Sequence, residues 1–133
     1  MISSLNHIGI AVRDLETSKA LYQKIFGIAE FHTETVAEQM VQVASFKVGA
    51  VLIELTAPTS PDSPIAKFLE KRGEGIHHLA FASDDINNDL SRLHETGIQL
   101  INQEPKEGAH EMMIAFLHPK STGGVLMELC QHK

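Results

Sequence analysis

One cysteine, Cys130, is all the thiol chemistry this 133-residue chain carries. A single thiol closes no internal disulfide and suits a reducing compartment. Placed at the end of an apolar run, it reads as a small buried hydrophobe. Positive charge is scarce too. The 11 Lys and Arg stand against 17 Asp and Glu, for a formal net charge of −6, and they form no cluster. That balance argues against nucleic acid as the partner. No window approaches the roughly 20 apolar residues that a membrane span needs. The opening Met1-Ile2-Ser3-Ser4 has neither the basic region nor the long apolar core of a secretory signal. These absences lead us to expect a soluble, cytoplasmic protein. What is present, 43% hydrophobic and 21% charged residues, is ordinary globular composition at a length that suits one domain.

The chain repeats itself. Val125–Leu129 reads Val-Leu-Met-Glu-Leu, and Val51–Leu55, seventy-four residues earlier, reads Val-Leu-Ile-Glu-Leu. Upstream of the first copy lies Asn6-His7-Ile8-Gly9-Ile10-Ala11-Val12. Upstream of the second, offset by seventy-one, lies His77-His78-Leu79-Ala80-Phe81-Ala82-Ser83. Each half therefore carries a strand-like run with a His near its start and a later one with a Glu inside.

Taken in order, Leu5–Val12 reads as a buried strand. Asp14 caps a helix whose stripe is Leu15, Ser18, Tyr22 and Ile25, and Gly27 ends it. Ile28–Thr35, Met40–Val48 and Ala50–Leu55 read as strands, with Gly49 as a turn. Pro58, Pro61 and Pro64 then mark the boundary between the halves. Ser63-Pro64 starts a short helix with Ile65, Phe68 and Leu69 on its apolar face. The second half repeats the order. Ile76–Ser83 is a strand, and Asp85 caps a helix with Ile86, Leu90 and Leu93 on one face, ended by Gly97. Ile98–Asn102, Met112–Leu117 and Gly124–Cys130 are strands. The expectation is one domain over 1–133: module one at about 4–58, a linker with a short helix at 59–74, and module two at about 75–131.

Taken alone, His7 reads as a hydrogen-bonded core histidine. Glu54 and Glu128 change that reading. A carboxylate inside an apolar strand costs several kcal/mol unless it is paired or binds metal, although alternation can turn it toward water. Two His and two Glu at matching places form a ligand set for one divalent ion. Adjacent strand residues point to opposite faces, so only one of His77 and His78 can join. Alignment pairs His78 with His7, which leaves His77 to support the site, face substrate or serve structure. His32, His94, His110 and His132 lack matching partners and read as surface residues. Two neutral imidazoles and two carboxylates suit Zn, Co, Ni, Mn or Fe(II) and leave room for a substrate oxygen. Such an ion would act as a Lewis acid on a carbonyl, the chemistry of proton removal beside it.

The duplicated βαβββ order, with His on the first strand and Glu on the last, resembles the vicinal oxygen chelate superfamily. Asp62-Ser63-Pro64-Ile65-Ala66-Lys67-Phe68-Leu69 with Gly75-Ile76-His77-His78-Leu79-Ala80-Phe81 resembles the methylmalonyl-CoA epimerases in particular. So do Phe116-Leu117-His118-Pro119-Lys120-Ser121 and Gly123-Gly124-Val125-Leu126-Met127-Glu128-Leu129. The resemblance implies an α+β, glyoxalase-like fold: a curved mixed sheet around one metal site. It implies interconversion of (2R)- and (2S)-methylmalonyl-CoA through a metal-stabilised enolate. It assigns His7, Glu54, His78 and Glu128 to one divalent ion per chain (Co2+, Zn2+, Ni2+ or Mn2+), with Glu128 also moving a proton. Some relatives carry a second Glu on the strand before Glu54. Gln42 falls nearest that place here, and Gln cannot be a base. Glu38 is a substitute whose alternative is a solvated surface residue. Gln42, His77 and Lys120 are the candidates for substrate contact, with Lys120 first among Lys106, Lys120, Lys71 and Arg72 for the CoA phosphates. A homodimer is expected, since members of this fold pair through their sheets.

The competing readings are glyoxalase I (lactoylglutathione lyase), which moves protons on a glutathione hemithioacetal, and a metal-free small-molecule binding or resistance protein. An Fe(II) dioxygenase fits less well, because its site wants two His and one carboxylate.

Overall fold

A computed structural model describes residues 1–133 throughout. The elements in chain order are β1 (Ile2–Ala11), α1 (Leu15–Phe26), β2 (His32–Val36), β3 (Val41–Val48), β4 (Val51–Pro58), α2 (Pro64–Arg72), β5 (Gly75–Ser83), α3 (Ile86–Glu95), β6 (Lys106–Glu107), β7 (Met112–Leu117) and β8 (Met127–His132). Short 3-10 turns lie at Ala37–Gln39, Ala109–Glu111 and Pro119–Ser121. No helix is long and apolar enough to cross a membrane. Backbone packing divides the chain into two compact units, Ile8–His77 and Met1–His7 with His78–Lys133. The divisions fall inside β1 and β5, at the two histidines that the repeat aligns, and not in the proline-rich stretch.

In the Ile8–His77 unit the strand order is β2-β3-β4 followed by the second part of β1. β2, β3 and β4 are antiparallel neighbours, and Val48 pairs with Val51 across a two-residue turn. Gly49 takes φ 63° there, a left-handed conformation that costs glycine nothing. Asp14 caps α1 by accepting from the Thr17 amide, and Gly27 ends it at φ 65°, its N–H donating to the Gln23 carbonyl at 2.8 Å. α1 buries Leu15 against Val12, Ala44, Leu55 and Ala57. The expected stripe fails at its last member: Ile25 is 62% exposed. Phe26 takes that place, its ring 5.1 Å from Phe46 and 6.0 Å from Tyr22. Both residues are one turn from Tyr22, and Phe26, itself 45% exposed, is the one that makes the ring contacts. β2 begins at His32, four residues later than expected, and β4 runs on to Pro58, three residues past Leu55. Pro58 is tolerated as the last residue of its strand.

In the other unit the order is the first part of β1, then β5-β8-β7-β6. β5 and β8 are parallel and β7 and β8 antiparallel, so the sheet is mixed. α3 packs Ile86 and Leu90 on Leu100, Ala115, Leu117 and Leu129. Ile98–Asn102 is not a strand. It contributes one bridge, Leu100 to Leu117, because side chains intercept its ladder. Asn102 Oδ1 accepts from the Phe116 amide at 2.8 Å, and the Gln99 amide donates to Ser121 Oγ at 2.9 Å. β8 also starts later than expected, at Met127. Gly123 and Gly124 hold φ of 69° and 91°, and the Thr122 hydroxyl bonds the Val125 carbonyl, so the loop turns until Leu126.

Candidate metal centre

Side-chain direction follows from register. Residues directly across paired strands point to the same face, and neighbours along a strand point to opposite faces. In the β5-β8-β7 sheet, Ala80, Glu128 and Phe116 form one cross-strand row, so they share a face. Leu129, one residue on, points the other way into the α3 core. His78, two residues before Ala80, lies on the Glu128 face. His77 turns the opposite way and sets its ring edge-to-face on Phe68 of α2, with centroids 5.0 Å apart.

Three buried polar side chains meet there. His7 Nε2 and His78 Nε2 are 3.2 Å apart. Glu128 places Oε2 3.4 Å from His7 Nε2 and Oε1 3.3 Å from His78 Nε2. Ala80, Met112, Ile114 and Cys130 make an apolar cluster on the same face, with Phe116 against it. The Phe116 ring stands edge-on to His78 at 5.7 Å. Cys130 is buried, and its sulfur lies within 4.8 Å of donor atoms on His7 and Glu128. Asn6 decides the state of the His7 ring. Its Oδ1 sits 2.7 Å from Nδ1 and accepts that proton, which leaves the Nε2 lone pair facing the centre. Burial, assisted by the charge of His110, lowers the His7 pKa to about 4, so the ring is neutral at physiological pH.

A neutral imidazole lone pair, a second imidazole nitrogen and a carboxylate therefore converge in a dry place. The three donors are spaced as ligands are around one ion. Bonds of about 2.0–2.1 Å at tetrahedral angles put donor atoms about 3.3 Å apart. The set of two nitrogens and one carboxylate fits a borderline divalent metal. The chain thus carries a candidate His/Glu metal site.

Glu54 belongs to the Ile8–His77 unit and is described there. It is 5% exposed, and burial, then the charge of Glu34, pushes its pKa up to about 8. Its row is His32–Ser45–Glu54, and the next row on that face is Glu34–Val43–Thr56. Gln42 pairs with Thr35 and Ala57, in a row of the other parity. It thus shares the face of Ala44 and Leu55, opposite to the face that carries Glu54, and is itself exposed. The reason is the two-residue period: Gln42 is three residues from Ser45. Glu38 is exposed on the 3-10 turn before β3. Lys120 is exposed on the 3-10 turn after β7, where its amide donates to His118 Nδ1 at 3.1 Å. Reading the sequence missed one residue, Asn6. Asn6 directly precedes a candidate ligand, a place where a partner for the other ring nitrogen could have been sought.

A family model described as the Glyoxalase/Bleomycin resistance protein/Dioxygenase superfamily matches residues 6–116. An ethylmalonyl-CoA/methylmalonyl-CoA epimerase of Cereibacter sphaeroides is 41% identical over 133 residues, covering 98% of this chain and 99% of that protein. The chain belongs to the methylmalonyl-CoA epimerase family of that superfamily. The uncharacterized protein YqjC of Bacillus subtilis (strain 168) is 44% identical over 132 residues, 99% of this chain and 94% of its own length. A solved methylmalonyl-CoA epimerase in complex with methylmalonyl-CoA and NH4+ superimposes with a TM-score of 0.94 at 38% identity. The match covers 99% of this chain and 96% of that one. The mixed sheet with three helices is thus the fold of the epimerase structures.

Proposed function

We propose that this member of the epimerase family is an isomerase that interconverts (2R)- and (2S)-methylmalonyl-CoA by moving the C2 proton through an enolate. The observation that carries the reading is the convergence of His7 Nε2, His78 Nε2 and the Glu128 carboxylate at 3.2–3.4 Å. His7, His78 and Glu128 would hold a divalent ion, one per chain, with Glu54 as the fourth ligand. Glu54 enters from the sequence repeat, where it matches Glu128, and its burial supports the assignment. A bound Co2+, Zn2+, Ni2+ or Mn2+ supplies Lewis-acid stabilisation of the negative charge that develops on the thioester oxygen. The chain supplies the rest. Asn6 holds the His7 tautomer, so its lone pair needs no reorganisation. Ala80 and Phe116 flank Glu128 and keep water from the carboxylate. Glu128 takes the C2 proton from one face of the acyl group, or returns it there. Lys120 is the candidate contact for a CoA phosphate and His77 for the rest of the substrate. The same reading makes the protein a cytoplasmic homodimer, which light scattering at micromolar concentration tests.

The deciding experiment is proton exchange at C2 of methylmalonyl-CoA in heavy water, with and without added Co(II) or Zn(II). Metal-dependent deuterium incorporation with loss of stereochemistry is expected. No exchange, with turnover of the glutathione hemithioacetal instead, would move the assignment to glyoxalase I.

A further inference from the structure

Glu128 shares its face of β8 with one further donor. Cys130 stands two residues on, in the row Ala82–Cys130–Ile114, so its side chain lies on the Glu128 face. It is buried among Ala80, Met112 and Ile114 and is the chain's only thiol. Cys130 Sγ, a ring nitrogen of His7 and a carboxylate oxygen of Glu128 all lie within 4.8 Å of one another. We propose that Cys130 gives the centre a second coordination set, His7–Glu128–Cys130, which captures a thiophilic divalent ion such as Cd2+ in place of the ion held with His78. The inference rests on the metal centre of the epimerase reading and not on its substrate.

Spacing supports the set. Bonds of about 2.3 Å to sulfur and about 2.0–2.1 Å to nitrogen, at a tetrahedral angle, place those two donors about 3.6 Å apart. From a limit of 4.8 Å, no more than about 1.2 Å has to close. What Sγ gives up is a weak bond, its donation to the Phe81 carbonyl at 3.5 Å. Charge supports it as well. One neutral imidazole, one carboxylate and one thiolate balance a divalent ion, so no net charge is left in a buried place. The thiol proton goes to water as the ion binds. Donor type sets the preference. Imidazole and carboxylate suit borderline ions, and a thiolate moves the choice toward soft ones.

Register keeps the two sets apart. His78 lies one row before the Ala80–Glu128 pair and Cys130 one row after it, so they flank Glu128 from opposite sides. An ion drawn toward Cys130 leaves His78. Both sets use His7 and Glu128, so the centre holds one ion at a time and a captured soft ion displaces the other.

The test adds Cd(II) to the Co(II)-loaded chain without substrate. It reads the ultraviolet charge-transfer band of thiolate-bound cadmium, the Co and Cd content after gel filtration, and the thermal midpoint. A single thiol makes the band a report on Cys130 alone. In wild type we expect the band to appear as Cd replaces Co one for one. Cys130→Ser and Cys130→Ala should keep Co(II) binding. Their preference for Cd(II) over Co(II), measured by competition, should fall by more than about tenfold, the loss that even a ligand's outer partner brings. Two further variants receive Cd(II) alone: His78→Ala should keep the band, and His7→Ala should lose it. Cd bound to wild type with no band, Cd and Co held together, or a band that survives His7→Ala would overturn the proposal. So would loss of the band in a folded His78→Ala chain. If one Cys130 variant fails to fold, the other decides the competition. Wild type that exchanges no C2 proton would overturn the epimerase reading and leave this inference standing, because the band is read with no substrate present.

Discussion

Glu54 and Glu128 occupy the same place in two copies of one five-residue run, with different neighbours on their own sheets. Glu128 lies beside two imidazole nitrogens at 3.3–3.4 Å, flanked by Ala80 and Phe116. Glu54 is as deeply buried, and its own sheet gives it Ser45 in its row and Val43 and Glu34 in the next row on that face. The helices differ in the same way. In the second module Ser83 Oγ donates to Asp89 Oδ2 at 2.6 Å, Asp89 is fully buried, and Arg92 reaches Oδ1 at 3.3 Å. Seventy-one residues earlier the matching residues are Val12, Ser18 and Leu21, with Leu21 53% exposed. Duplication preserved the scaffold positions, and each copy then solved its burial problem with different side chains.

The comparison can be broken most sharply at the histidines. His7→Ala and His78→Ala should each fall from about one divalent ion per chain to near none, because each removes a donor from the tight triad. Elemental analysis of protein purified without chelator reads this directly. Equal metal in wild type and both variants would sink the site.

Next in size is Glu128→Gln. With metal supplied in excess, C2 exchange should drop by about 10²–10⁴-fold from at least one enantiomer. Near-wild-type exchange of both enantiomers at full metal occupancy would make Glu128 a ligand only.

The third test uses pH on the metal-free chain. In the folded state the Glu54 pKa is pushed from 4.5 up to about 8, by burial first and Glu34 second. The folded chain then binds a proton that the unfolded chain has released, so stability falls as pH rises from about 4.5 to 8. His7 runs the other way. Its pKa falls from 6.5 to about 4, so the unfolded chain binds the extra proton and stability rises with pH across that window. Above pH 6.5 only the Glu54 decline remains, and Glu54→Gln should flatten it. Urea midpoints taken every half pH unit measure this, and an undiminished decline in Glu54→Gln would refute the burial account.

The helix comparison gives a smaller effect. Asp89→Ala leaves the Ser83 hydroxyl and part of Arg92 without their acceptor and should cost about 1–3 kcal/mol. Ser18→Ala should cost less than about 1 kcal/mol, a difference that parallel urea titrations resolve. Smallest of all is Gln42→Ala, on an exposed residue of the α1 face. It should change stability by no more than about 0.5 kcal/mol and leave C2 exchange unaltered, and a large loss of exchange would contradict the register argument.

The sequence by itself determined the repeat, the helix caps at Asp14, Ser63 and Asp85, the turn at Gly49, and the residues of the buried triad. Those features are local or periodic: a cap, a left-handed glycine and a duplicated run are all written within a few residues. It also separated His77 from His78, because neighbours on a strand must point apart. It did not show that Asn102 and Ser121 would displace a strand at Ile98–Asn102, since that outcome depends on a side chain competing with a distant backbone group. Nor did it tell Phe26 from Ile25, which helical spacing permits equally. The face that Gln42 takes and the grip of Asn6 on His7 were decided by tertiary structure. Each depends on cross-strand register or side-chain geometry, and shifting a strand by one residue would invert every assignment made on it.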